Sequence, residues 1–307
     1  MQDVLIFANP ISGRGRGRDI AARLEHRLRA DGYQPRVFMQ HASRLPADAL
    51  AHRPRAVVVI GGDGTLRTVA ERLITLGTDP PPLLPIGLGT ANLMARHLGL
   101  RWTDESMEDT VSEAIARMQI LPFDAGRANG KLFLLMVGVG FDAHVVHELD
   151  RLRKGPISLI NYFEPAARAL SGYRFQTLRV TVDGAEAWRD RGLAFVGNIK
   201  EYGTMFPVIP HAKPDDGLLD ACLLPCRDPV ELIRLFLHAA AGEHVMAEGA
   251  VYVRGRQIRI ESKEPVPVQI DGDPGGHTPV EIDLLPFRLP FIVPLKGSGF
   301  GVQGSVK

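Results

Sequence analysis

The segment AVVVIGGDGTLRTVAERL, residues 56–73, constrains this chain more than any other. Ala56 to Ile60 is apolar and rich in β-branched residues, the pattern of a parallel strand buried on both faces. Gly61-Gly62-Asp63-Gly64-Thr65 follows at once, and a helix is expected from Thr68 to Leu76. Glycines lack Cβ atoms, reach positive φ readily and let backbone N–H groups approach an anion. The helix N-terminus behind them adds the positive end of its dipole. The segment therefore predicts a turn that grips phosphate. Asp63 is poorly placed beside phosphate unless it serves Mg2+ or positions a proton.

The same design recurs twice. FANPISGRGRG follows the apolar run Val4 to Ala8, and LPIGLGTANLMARHLGL contains the short strand Leu84 to Leu88. In a parallel sheet all three turns fall at the carboxyl edge, where ligands bind. Asn9, Ser12, Thr65, Thr90 and Asn92 would offer hydroxyl and amide groups there. Arg14, Arg16 and Arg18 either add positive charge near phosphate or form a solvated loop. Helices are expected at 19–30 and 90–98 and a strand at 36–39. Strand alternating with helix reads as a doubly wound α/β domain over residues 1–120.

Beyond that point short β-rich runs dominate. They lie at 132–139, 178–182, 193–198, 218–224, 251–253, 257–260, 266–270 and 280–284, with turn signals at Asp183-Gly184 and Asp271-Gly272. They predict a mainly antiparallel β-sandwich domain over 121–290, interrupted by helices at 157–171 and 229–241. The Pro-punctuated tail, 291–307, is apolar enough to dock back on the first domain. Asp215, Asp216 and Asp220 surround a Gly turn. Spacing alone leaves this loop open between a hard-cation pattern and an acid-rich hairpin. Asp271 and Asp273 lie on a strand-end turn, an ordinary hairpin signal that also suits a carboxylate accepting a hydroxyl proton.

Lys plus Arg number 36 against 35 for Asp plus Glu, so charge gives no case for a nucleic-acid partner. Cys222 and Cys226 are too few for a disulfide framework or a zinc site. No apolar run spans a bilayer and the N-terminus does not read as a signal peptide. The expectation is a cytoplasmic protein, with attachment to the inner face of the membrane compatible with the sequence. The stretch RLRKGPISLINYFEPAARALSGYRF, from Arg151, reads either as a basic, aromatic surface for an anionic bilayer or as a helix packed on the sheet. A homodimer is compatible with the sequence and not read from it. There is no Walker motif; the nearest string, GRANGKL from Gly126, has the wrong spacing.

NPISG at Asn9, GGDGT at Gly61, LGTAN at Leu88, DGLLD at Asp216 and IDGDP at Ile270 together resemble the diacylglycerol kinase catalytic-domain family. That family shares a superfamily with sphingosine kinases, NAD kinases and phosphofructokinases. The strings run in family order over nearly the whole chain. The resemblance implies a two-domain lipid kinase with ATP in the cleft, a lipid substrate at a membrane surface, and Mg2+. It implies ATP contacts from Gly61, Gly62, Asp63, Gly64, Thr65, Leu66, Arg67 and Thr90. A mainly structural Mg2+ would be held by Asp216 and the carbonyls of Lys213 and Leu218. Asp273 would be the general base, with Asp63 and Asp271 as further catalytic candidates. Three positions depart from the family pattern. Arg67-Thr68 stand where bacterial members usually have Asn-Glu, Leu93 stands where Asp is frequent, and Asp273 replaces the usual Glu. A binding protein with little catalysis, or a small-molecule kinase, are the rival readings.

Overall fold

The computed structural model describes residues 3–44, 46, 49, 53–75, 79–100, 106–152, 170, 172–202 and 206–294. The chain divides into two compact units, residues 1–123 with 289–307, and residues 124–288.

The first unit is a six-stranded sheet with helices. Its strands are β1 (Asp3–Ala8), β2 (Gln34–Met39), β3 (Ala56–Gly61), β4 (Leu83–Gly87), β5 (Ile120–Phe123) and a late arrival, β17 (Leu289–Ile292). Their order is β2-β1-β3-β4-β17-β5. The first five run parallel, and β5 is antiparallel to β17. β3 is buried at every position, as its unbroken apolar run requires. Helix α1 (Gly17–Ala30) buries Ile20, Ala21, Leu24 and Leu28, one stripe at helical spacing. Helix α2 (Asp63–Thr75) buries Leu66, Val69, Ala70 and Leu73. The short α3 (Leu93–His97) and α4 (Met107–Arg117) complete the unit.

Two expectations change here. Helix α2 starts at Asp63, five residues earlier than the apolar pattern suggested, so Gly64 and Thr65 are helical. Leu66 and Val69 start the buried stripe, and the helix begins as soon as the strand can turn. Second, Gly61, Gly62 and Gly64 do not have positive φ, whereas Gly13 and Gly15 do.

The second unit is a layered antiparallel sheet. It contains β6 (Gly126–Ala128), β7 (Lys131–Phe133), β8 (Met136–Val139), β9 (Thr177–Val182), β10 (Ala185–Gly197), β11 (Leu219–Pro225), β12 (Val251–Gly255), β13 (Gln257–Ser262), β14 (Pro267–Ile270), β15 (Asp273–His277) and β16 (Val280–Leu284). The long β10 joins the layers. Residues 185–191 pair with β9, residues 192–197 pair with β11, and residues 194–197 also pair with β8. Val137, Val139, Val180, Val196, Ile258 and Ile282 share the core between the layers. A second cluster unites Phe141, Val145 and Leu149 of helix α5 (Phe141–Leu152) with Phe195, Cys222 and Leu224. Leu232 and Leu235 of helix α6 (Pro229–Ala241) join it. Both thiols are buried, which pushes their pKa values up and leaves them unreactive packing groups.

The expected strand at 132–139 is two strands, β7 and β8, broken at Leu134 and Leu135. GRANGKL is the hairpin of β6 and β7, with Asn129 and Gly130 in the left-handed region of its two-residue turn. The expected helix at 157–171, and most of the basic, aromatic stretch around it, lie outside the described residues. So does the tail from residue 295. β17 places residues 289–292 within the first sheet, with Leu289, Phe291 and Ile292 fully buried.

Candidate phosphate-binding and phosphoryl-transfer site

The three glycine-bearing turns of the first unit interlock. Asn9 follows β1; its N–H donates to the Ile60 carbonyl at 3.1 Å, and its Nδ2 donates to Thr65 Oγ1 at 3.1 Å. Its Oδ1 accepts from the Ile11 N–H at 3.2 Å, and its carbonyl accepts from the Ser12 N–H at 3.1 Å. The Leu88 N–H donates to the Gly61 carbonyl at 2.9 Å, tying the third turn to the second. A Cβ on Gly89 would lie 2.8 Å from Gly62 Cα, and one on Gly61 would lie 2.7 Å from Thr65 Cβ. These glycines are there for close approach, not for unusual φ. Asn92 takes the left-handed conformation, and its side chain closes its own turn by accepting from the Gly89 N–H at 2.6 Å and donating to the Gly89 carbonyl at 2.8 Å.

Asp63 is turned away from the helix it begins. Its two carboxylate oxygens accept the N–H groups of Leu93 and Met94, both at 3.0 Å. Burial pushes its pKa up, and these N–H donors push it back down. The α2 N-terminus thus presents its first-turn N–H groups, among them those of Gly64 and Thr65, while the nearest negative charge is spent on α3. That arrangement can hold a phosphate oxygen. Leu66 cannot take part through its side chain, which is in the core, or through its N–H, which donates to the Gly62 carbonyl at 3.1 Å. Arg67 is half-buried, Thr68 donates its hydroxyl to the Gly64 carbonyl at 2.9 Å, and Thr90 is exposed on the third turn. Ser12 lies in a 3-10 turn over Ser12–Gly15.

The second unit carries the carboxylates. Asp271, at positive φ, accepts the N–H groups of Leu134, Leu135 and Met136 at 2.8, 2.9 and 3.0 Å. Its own N–H donates to the Met136 carbonyl at 2.9 Å. This bracket is what breaks the expected 132–139 strand, and it makes Asp271 a structural anchor rather than a catalytic candidate. Asp273 opens β15 beyond Gly272, half-buried and opposite Ile270. Gly272 N–H donates to Gln269 Oε1 at 2.8 Å, and Gln269 is fully buried.

Sequence reasoning passed over Asp142. Its Oδ2 faces Tyr202 Oη at 3.4 Å and Gln269 Nε2 at 3.5 Å, and its Oδ1 is buried without a partner among the described residues. Burial pushes its pKa to about 7. A Cβ on Gly138 would lie 2.1 Å from Asp142 Oδ2, so the glycine makes room for this carboxyl. The available signal was one acid and two glycines inside the apolar run MVGVGFDAHVV. His144 is half-buried against Tyr173, and His147 Nε2 lies 2.8 Å from the Val268 carbonyl, so both serve packing.

The 213–218 loop is anchored at Asp124, whose carboxylate accepts the Gly217 N–H at 2.6 Å and Arg288 Nε at 2.7 Å. Asp216 accepts the Leu218 N–H at 3.2 Å and pairs with Arg254. Among the described residues no cluster of three or more His, Cys, Asp or Glu side chains is arranged for a metal. The loop nonetheless fits a divalent cation in kind: Asp216 and the Lys213 and Leu218 carbonyls are hard oxygens on one short turn. Buried Asp220, with Oδ2 unpartnered among the described residues, lies beside it.

The chain thus joins a doubly wound sheet with three interlocked glycine-bearing turns to a layered antiparallel sheet. Residues 3–128 match the diacylglycerol kinase catalytic domain, and residues 135–293 match the YegS C-terminal NAD kinase beta sandwich-like domain. The chain belongs to this lipid kinase family. It is 31% identical to a diacylglycerol kinase of Mycobacterium tuberculosis, over 96% of each chain. It is 33% identical to a Pseudomonas aeruginosa protein named lipid kinase YegS-like, over 76% of this chain and 74% of the relative. A crystal structure of a candidate diacylglycerol kinase from Bacillus anthracis superposes with a TM-score of 0.76 at 25% identity, covering 95% of both chains.

Proposed function

We propose that this chain transfers the γ-phosphate of ATP, with Mg2+, to the hydroxyl of a lipid such as diacylglycerol, giving phosphatidate or a related lipid phosphate. The observation that carries the reading is Asp63: its charge is turned onto α3, leaving the α2 N-terminus as a positive, donor-rich end for phosphate. The names of the relatives point to a lipid acceptor. In this reading Asn9 and Thr65 brace the turn, and Gly61, Gly62 and Gly64 admit the phosphates. Ser12, Thr90, Asn92 and Arg67 line its approaches. Asp273 accepts the proton of the acceptor hydroxyl as the oxygen attacks phosphorus. Lys213, Asp216 and Leu218 would hold a divalent cation whose contribution is structural, tying the loop before β11. The lipid is met at a membrane surface; no helix among the described residues is long and apolar enough to cross a bilayer.

Labelled ATP with a panel of lipids in mixed micelles tests this. The expected result is phosphate on a glycerolipid hydroxyl and, in Asp273→Asn, a loss of kcat of roughly 100-fold or more with the ATP KM little changed. Phosphate appearing only on water-soluble acceptors would overturn the lipid reading. Full activity in Asp273→Asn would remove that residue as the base.

A further inference from the structure

Asp216 and Asp220 share one guanidinium. Arg254 stands on β12 in register with Asp220 of β11. Its Nη2 donates to Asp216 Oδ2, and its Nε lies 3.3 Å from Asp220 Oδ1. Asp220 is fully buried, and its Oδ1 also accepts the Tyr252 hydroxyl at 2.8 Å. Its Oδ2 is buried without a partner among the described residues. Two carboxylates flanking one positive group, with a spare buried oxygen, make an acceptor-rich pocket whose charge Arg254 offsets only in part. Around it, Arg288 holds Asp124, and Asp124 holds the Gly217 N–H. The loop therefore keeps its shape through arginines as it stands.

A divalent cation on this loop needs the Asp216 carboxylate, because carbonyl oxygens alone are weak competitors for its hydration shell. The guanidinium and the metal ion are like charges seeking one carboxylate, and they repel at that separation. We propose that Arg254 is a displaceable internal cation: it must leave Asp216 before a divalent metal ion can bind there, and so it sets the metal affinity of the 213–218 loop. The inference rests on the metal reading of that loop, and it goes beyond it by naming what the metal competes with. Arg254 is not idle after displacement. Asp220 remains beside it, so the guanidinium moves from serving two carboxylates to serving the buried one, which is strongly destabilising if left alone.

The test titrates the full chain with Mn2+, read by the electron paramagnetic resonance of the free ion, with Mg2+ as competitor and with neither ATP nor lipid present. Arg254→Gln is expected to bind Mn2+ about tenfold more tightly than the wild type, or better, since one positive charge leaves the metal's neighbourhood. Asp216→Asn, placed in the Arg254→Gln chain, is expected to abolish that gain. Arg254→Lys keeps a charge for Asp220 but lacks the fork that spans both acids, and is expected to fall between wild type and Arg254→Gln. It carries the test alone if circular dichroism shows Arg254→Gln unfolded. Equal or weaker Mn2+ binding in the Arg254 variant, or a gain that survives Asp216→Asn, overturns the proposal. A chain without kinase activity would leave this readout unaffected.

Discussion

Asp271 commits its carboxylate to three backbone N–H donors, and that has a measurable consequence. Asp271→Ala would leave those N–H groups in a part-buried loop without acceptors. The expected loss is about 2–4 kcal/mol of stability, read from urea unfolding. A loss below roughly 0.5 kcal/mol, the scale of an ordinary surface change, would show that the bracket is not structural. Asp142 makes the opposite kind of prediction. Its folded pKa, about 7, lies above the ordinary 3.8, because burial disfavours its charge. The folded state then holds the proton more tightly than the unfolded chain. Its contribution to stability is complete below the unfolded value, falls as pH rises through the window between the two, and is lost above about 7. Asp142→Asn should remove this slope and be on the order of 2–4 kcal/mol more stable than wild type at pH 8, relative to the same comparison at pH 4. Parallel pH profiles for the two chains would refute the assignment. Asp63 and Asp273 were singled out in the sequence because each follows a glycine in a turn motif. Asp142 was not, because its meaning depends on Gly138 and Gln269, which only the pairing of β8 with β14 brings beside it.

At the scale of elements, periodicity located β1 to β4 and the apolar stripe of α1, because each buries a face in the period of its own backbone; β5, β17 and α4 were not read from it. It placed the start of α2 too late. Gly64 and Thr65 carry no apolar signal, and the helix begins there because the chain must leave β3 while Asp63 reaches α3. The glycine motifs were legible as motifs, yet for a different physical reason. Gly62 and Gly89 lie back to back, and no Cβ fits between the turns. Gly89→Ala should therefore push the second and third turns apart. The expected result is an increase of roughly tenfold or more in the ATP Kd by calorimetry, with far-ultraviolet circular dichroism unchanged, since one methyl misplaced at a phosphate turn removes aligned donors. An unchanged Kd would separate these turns from nucleotide binding. The hairpin signals Asp183-Gly184 and Asp271-Gly272 predicted real turns, because positive φ at both residues is a local demand. The partners of Asp124 and Asp216, by contrast, are Arg288 and Arg254, whose positions in the chain carry no local trace of the loop they hold.

For the whole molecule the informative strand is β17. The chain leaves the first unit after Phe123, builds the second over residues 124–288, and contributes residues 289–292 to the first sheet between β4 and β5. A Pro-punctuated apolar tail signalled attachment; it carried no information on which strands would flank it, since one short parallel strand pairs with whatever edge the topology leaves open. Without β17, β4 becomes an edge and β5 has no partner in the sheet, so the first unit loses the interior of one flank. Leu289, Phe291 and Ile292 are each fully buried, and at about 1.5–3 kcal/mol per side chain their loss approaches the whole stability of a domain. A chain ending at residue 288 should therefore lose the cooperative unfolding of its first unit and aggregate through the exposed β4 edge. A chain ending at residue 294 should keep β17 and retain that transition. Calorimetry of the two truncations decides. Equal transitions would mean that the first sheet closes without β17, and that its place between β4 and β5 adds little to holding the glycine-bearing turns after β1, β3 and β4 in line.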